Sequence, residues 1–147
     1  MNWSPLQFDT NRRLLLALLL VAGVTALAGC SLNDGFSTSV EDPANGTVIE
    51  NLSITDINDH DGVQYKLEYS LPARSNASFA IEVHERTGDS YGRVGVTPVD
   101  PGETVHRDGV APPWDAGETR TYRVRVVDRS NGTTLDSVTM TIERTAS

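Results

Sequence analysis

The sequence is short of thiols, lysines and aromatic side chains. One cysteine, Cys30, in 147 residues excludes an intramolecular disulfide and any centre held by several thiolates. Acids outnumber Lys+Arg by 20 to 12, a formal charge of -8, which argues against nucleic acid as a partner, because its phosphates call for a basic face. Aromatic residues make up 6% of the chain, thin material for a sugar-stacking platform. Lys66 is the single lysine. The length permits one domain. Only one long apolar run is present, residues 14–29.

Arg12-Arg13 precedes that run and small residues end it, the three-part pattern of an export signal. Its 16 residues would span about 24 Å as a helix, short of the roughly 30 Å hydrocarbon core. A permanent membrane span is the competing reading, since a bilayer can thin to absorb mismatch. Leu27-Ala28-Gly29-Cys30 resembles the lipobox of secreted lipoproteins. That resemblance implies cleavage before Cys30, lipid on its thiol and residence on the outer face of the cytoplasmic membrane. Two hydrocarbon chains on one residue hold a protein stably, where one would be marginal. The alternative is a chance cysteine in a plain secretory signal. Arg12-Arg13, preceded by Thr10-Asn11 and followed by Leu14-Leu15, also resembles a twin-arginine signal. Asn11 and Leu15 depart from its usual residues, and an ordinary export signal with two arginines stays open.

Cleavage would leave residues 30–147 with 10 basic and 19 acidic groups, a net of -9. Acid excess with almost no lysine looks like the proteins of extreme halophiles, in which high salt screens self-repulsion. Together with the lipobox, the chain resembles a haloarchaeal-type small surface lipoprotein. An acidic secreted protein encoded by GC-rich DNA is the alternative. Asn-x-Ser/Thr triplets at Asn45, Asn51, Asn76 and Asn131 are candidate glycosylation sites of an exported protein. Residues 30–45 are polar and without period, which predicts a flexible tether between lipid and domain, with the folded domain over 46–147.

From Gly46 onward the chain alternates. Val63, Tyr65, Leu67, Tyr69 and Leu71 are apolar and the residues between them polar, the period of two of a half-buried strand. Phe79, Ile81 and Val83 repeat it, as do Tyr122, Val124 and Val126. Leu52 with Ile54, Val94 with Val96, and Val138, Met140 and Ile142 extend it. Turn signals fall between these segments, Asn131-Gly132 the strongest for a hairpin. Seven short strands in about 100 residues predict an all-β, immunoglobulin-like antiparallel sandwich; a closed chain of hairpins is the runner-up.

Gly117-Glu118-Thr119-Arg120-Thr121-Tyr122-Arg123-Val124-Arg125-Val126 resembles the sixth strand of fibronectin type III and related immunoglobulin-like modules, in which a Gly-containing turn precedes Tyr-x-Val-x-Val. The resemblance implies that the Tyr122 hydroxyl closes a corner on nearby backbone. It carries architecture and no binding function, and the early-strand Trp of such modules is missing.

Candidate chemistry is sparse. Asp56, Asn58, Asp59 and Asp61, followed by Gly62, form the densest set of hard oxygen ligands and a weak cation candidate, although the spacing fails the EF-hand rule. A solvated acidic hairpin is the plainer expectation. His60, His84 and His106 fall in a loop and two different strands, which points to surface histidines rather than a catalytic zinc site. A blue-copper site needs a Cys thiolate, and Cys30 is assigned to the lipid. No Gly-x-Ser-x-Gly elbow is present. Asp-x-Gly-Glu-Thr occurs at Asp100–Thr104 and again at Asp115–Thr119, read as two tight turns whose Gly takes positive φ. Trp114, after Pro112-Pro113, is expected to plug the open end of the sandwich; exposure to a sugar or protein partner is the alternative.

The sequence therefore predicts a non-enzyme without cofactor, held at the membrane through lipid on Cys30, acting as a binding or interaction module for an unnamed protein or surface partner. An accessory subunit docking on a membrane enzyme or transporter is the alternative, and a metal-dependent hydrolase a distant third.

Overall fold

The computed structural model describes residues 35–73 and 76–146. The signal residues Arg12, Arg13, Leu27, Ala28 and Gly29, and the lipid-attachment residue Cys30, lie outside them. Within them every regular element is a strand: β1 (Phe36–Val40), β2 (Ile49–Asn58), β3 (Gly62–Tyr69), β4 (Phe79–Thr87), β5 (Ser90–Val99), β6 (Val105–Val110), β7 (Thr119–Asp128) and β8 (Thr133–Arg144). All pairings are antiparallel. A five-stranded sheet has the order β1-β8-β7-β4-β5 and a three-stranded sheet the order β2-β3-β6. The expected all-β immunoglobulin-like sandwich is the architecture observed, with eight strands where about seven were expected. Among the described residues no helix is long and apolar enough to cross a membrane.

Alternation builds the core. Val63, Tyr65, Leu67 and Tyr69 of β3 face Phe79, Ile81 and Val83 of β4, Tyr122, Val124 and Val126 of β7, and Val138, Met140 and Ile142 of β8 in one buried cluster. Each such side chain contributes about 1.5–3 kcal/mol by leaving water. Strand β2 departs from strict alternation because register shifts at Ile49/Asn51 and Ile54/Asp56 re-aim its side chains. Its buried residues are accordingly Ile49, Leu52 and Ile57.

The expected tether over 30–45 is corrected. Strand β1 lies inside that range, pairing along β8 from Phe36↔Arg144 to Val40↔Met140, with Phe36 and Thr38 buried. The sandwich thus begins near residue 36 rather than 46. The strand escaped the hydrophobic pattern because Thr38 occupies the middle inward position between Phe36 and Val40.

After β1 the chain crosses to the other sheet, and Asp136 of β8 holds it there. One carboxylate oxygen accepts from the backbone N–H of Asn45 (3.0 Å), the other from Thr47 (3.2 Å), Val48 (3.2 Å) and Ile49 (3.0 Å). The Ser137 N–H adds a fifth bond at 2.9 Å. Asp136 is buried. Burial pushes its carboxyl pKa up, but the backbone N–H groups that favour the anion outweigh it, so the pKa lies below the ordinary value.

The apolar faces assigned to Val94 and Val96 are also corrected, since the two side chains are 57% and 52% exposed. Strand β5 is a sheet edge, and its pairing with β4 slips at Val83/His84. Inner positions of β5 go instead to Gly95, opposite Val83, and Val99, opposite Phe79.

Candidate interaction surface

The end of the sandwich where β1 enters gathers the β2–β3 hairpin and the β6–β7 connection. Thr145 donates to the Gly35 carbonyl at 2.9 Å and Gly117 to that of Arg144 at 2.7 Å, while Arg144 Nη1 reaches Asp59 Oδ1 at 2.7 Å. Tyr122 organises this end from inside. Its hydroxyl donates to the Ala111 carbonyl at 2.8 Å, eleven residues upstream, closing the corner that its sequence context implied. Arg120 bridges two carboxylates, Glu85 at 3.2 Å and Glu118 at 2.8 Å.

Glu118 then shapes the connection. Its second oxygen accepts from the backbone N–H of Trp114 (2.6 Å) and Asp115 (3.1 Å). The Asp115 N–H, the Arg120 guanidinium and the Trp114 N–H together lower the Glu118 pKa to about 2. This local clasp turns Trp114 outward, 53% exposed, and the expectation that it plugs the sandwich is corrected. Pro112 and Pro113 are buried in its place.

Between the edge strands β5 and β6 the two sheets part to leave an open cleft of about 180 Å³, lined by Val83, Glu85, Val94, Asp108, Val110 and Tyr122 among others. Its walls are mainly apolar, and Glu85 is already engaged by Arg120 and lies 3.4 Å from the Tyr122 hydroxyl. The cleft, the outward Val94 and Val96 and the Trp114 indole offer contact surface more than reactive groups. No protein-family model and no curated protein matches the chain.

The candidate cation ligands are not brought to a common point. Asn58 spends its side-chain oxygen on the His60 (2.9 Å) and Asp61 (2.6 Å) N–H groups and its amide on Asp56 (2.8 Å). Asp59 turns to Arg144, which holds its carboxyl below the usual range. The hairpin is self-satisfied, and among the described residues no group of three or more His, Cys, Asp or Glu is placed to hold a metal ion. His60 sits exposed in the hairpin. The surface expectation for His84 and His106 is corrected, because their side chains are only 12% and 11% exposed. His84 lies on the outer face as its alternation requires but is covered by Glu82 and Arg125. His106 packs near the Tyr65 ring, 6.2 Å between centroids.

Both Asp-x-Gly-Glu-Thr segments are turns closed by the Glu N–H on the Asp carbonyl, at 3.0 Å for Glu103 and 2.9 Å for Glu118. Positive φ is taken by Gly117 and not by Gly102. All four glycosylation candidates are exposed. Asn45, Asn76 and Asn131 lie in the β1–β2, β3–β4 and β7–β8 connections, at the end away from Trp114, and Asn51 sits near that end on β2, bonded to Glu68. What the sequence did not flag is Asp136, although its alternation with Val138, Met140 and Ile142 placed a carboxylate on the apolar face of β8, a sufficient signal.

Proposed function

We propose that this chain is a lipid-anchored, extracytoplasmic binding or interaction module with no catalytic role of its own. The observation that carries the reading is the position of the Leu27-Ala28-Gly29-Cys30 motif, separated from β1 only by residues 31–35. That length reaches about 18 Å at most, so a lipidated Cys30 would hold the sandwich against the membrane surface rather than at the end of a long leash. Exposed Trp114, Val94 and Val96, and the cleft that Val94 lines, supply contact surface. The edge position of β5 favours the second reading, an accessory subunit, because an edge strand can pair with an extended segment of a partner. In cells, Cys30→Ser is expected to move the protein from the membrane fraction to the medium. An intact mass of the wild type that keeps residues 1–29 and carries no lipid would sink the anchor and favour a spanning helix over 14–29. Stoichiometric co-purification with a membrane complex would decide for the accessory subunit.

A further inference from the structure

The outer face of β4, β5 and β7 in the five-stranded sheet inverts the charge of the protein. Arg123 and Arg125 alternate with the buried Val124 and Val126 and therefore point outward from β7. In register, His84 of β4 lies between Arg123 of β7 and Arg93 of β5, and Arg86 of β4 opposes Tyr91 of β5. The Arg123 guanidinium stacks over the Tyr91 ring, 3.9 Å from its centroid, which fixes a planar fork at the surface. Arg125 is bonded to Thr134 through Nε and Nη2.

Against four arginines stands one carboxylate on this face of β4, β5 and β7. Glu82 takes Arg93 at 3.1 Å and His84 at 2.9 Å. His84 Nε2 also lies 3.5 Å from Arg125 Nη1; the shorter contact places the Nε2 proton toward Glu82. Cations on neighbouring strands of a sheet cost stability, and a chain with 20 acids and 12 Lys+Arg had every opportunity to pair them more fully. Toward β1 the face continues as hydroxyls, with Thr121 Oγ1 and Thr141 Oγ1 3.3 Å apart, and carries one further carboxylate, Glu143, opposite Ser37 of β1.

We propose that this face lies on the anionic headgroups of the membrane that carries the anchor, its arginines forking onto lipid phosphates. The inference rests on the lipid-anchor reading. Three observations select a membrane over other anions. Strand β1, the first after residues 31–35, is the edge strand of this same sheet, so the short connection permits the face to lie down. Anchoring makes the contact intramolecular, so weak forks on a high local concentration of phosphate are enough, whereas a free ligand would need real affinity. None of Asn45, Asn51, Asn76 and Asn131 is on the face: Asn51 bonds Glu68 on the three-stranded sheet and the others lie in end connections.

The test uses the full chain carrying Cys30→Ser, so that no attached lipid contributes, and co-sedimentation with vesicles of phosphatidylglycerol or of phosphatidylcholine at low salt. With Arg12→Gln and Arg13→Gln added as well, the apolar run carries no basic residue and binds both alike; the face is read as excess binding to the anionic vesicles. Arg93→Glu with Arg123→Glu is expected to cut that excess roughly 30-fold, with a cooperative thermal unfolding transition showing that the variant folds. Equal binding to both vesicles, or an excess that survives the double substitution, overturns the proposal. So does tighter binding to alginate than to anionic vesicles per anionic group, which would assign the face to acidic glycans. Because the anchor is absent here, failure of the face is distinguishable from failure of lipidation, which wild-type partitioning in cells reads separately.

Discussion

Replacing Asp136 with Ala removes the acceptor for five backbone N–H groups at once. Asn45 and Thr47 are exposed and can turn to water, while Val48 and Ile49 are buried and cannot. Two orphaned buried donors cost about 1–3 kcal/mol each. Part of this is returned, because the variant no longer buries a carboxylate. A net loss of about 3 kcal/mol follows, equivalent to a fall of about 12 °C in unfolding midpoint for a domain of this size. Asp136→Asn keeps one acceptor oxygen but turns an NH2 group toward backbone donors, and should lose about 2 kcal/mol at neutral pH. The pH dependence separates charge from shape. A carboxyl whose folded pKa is depressed contributes stability that is complete above its unfolded value, about 3.9, and is lost as pH falls through the folded value. The gap between wild type and Asp136→Asn should therefore be full at about pH 7 and narrow as pH falls below about 3.9. Urea unfolding followed by circular dichroism measures both. An Asp136→Ala variant within about 0.5 kcal/mol of wild type, or a gap that ignores pH, refutes the reasoning.

Two further substitutions address the end where β1 enters. Tyr122→Phe deletes the bond to the Ala111 carbonyl and should cost about 1–2 kcal/mol in urea unfolding, with Pro112-Pro113-Trp114 loosened so that Trp114 fluorescence shifts. Gly62→Ala should cost more than about 1 kcal/mol, since its φ is +78° and an added Cβ would meet the Val110 carbonyl oxygen at 2.6 Å; Gly88→Ala, also at positive φ but with open space around it, is the control and should cost less.

Strands β3, β4, β7 and β8 were legible because each sets at least three apolar residues two apart against a covered face. Tyr122 was legible because its turn and its Val-x-Val continuation fix which way the ring points. Other features depended on neighbours that no local pattern records. Strand β1 hides a Thr at its central inward position and exists because β8 offers it an edge. Strand β5 shows two valines two apart, yet a slip against β4 and the absence of a further strand leave both in solvent. Trp114 has the size to fill the sandwich end, but Pro112 and Pro113 reach it first and the Glu118 clasp directs the indole away. The acidic hairpin had the residue types of a cation site without the convergence, since Arg144, 85 residues later in the chain, captures Asp59. The arginine face was half visible in the alternation of β7; its extent follows from placing β4 and β5 beside that strand.

The strap formed by β1 and the Asp136 bonds also sets how the domain meets mechanical load. Tension applied ahead of Gly35 would fall first on its bond to Thr145 and then on the rung Phe36↔Arg144, and antiparallel rungs pulled from one end open singly, like a zipper. Peeling the five residues of β1 from β8 would draw Phe36 out of the buried cluster. Beyond them stand the bonds of Glu41 to Thr139 and of Ala44 to Ser137, and then four donors gripped by one side chain, which must yield together. The edge strand thus yields rung by rung, and Asp136 is the cleat behind it.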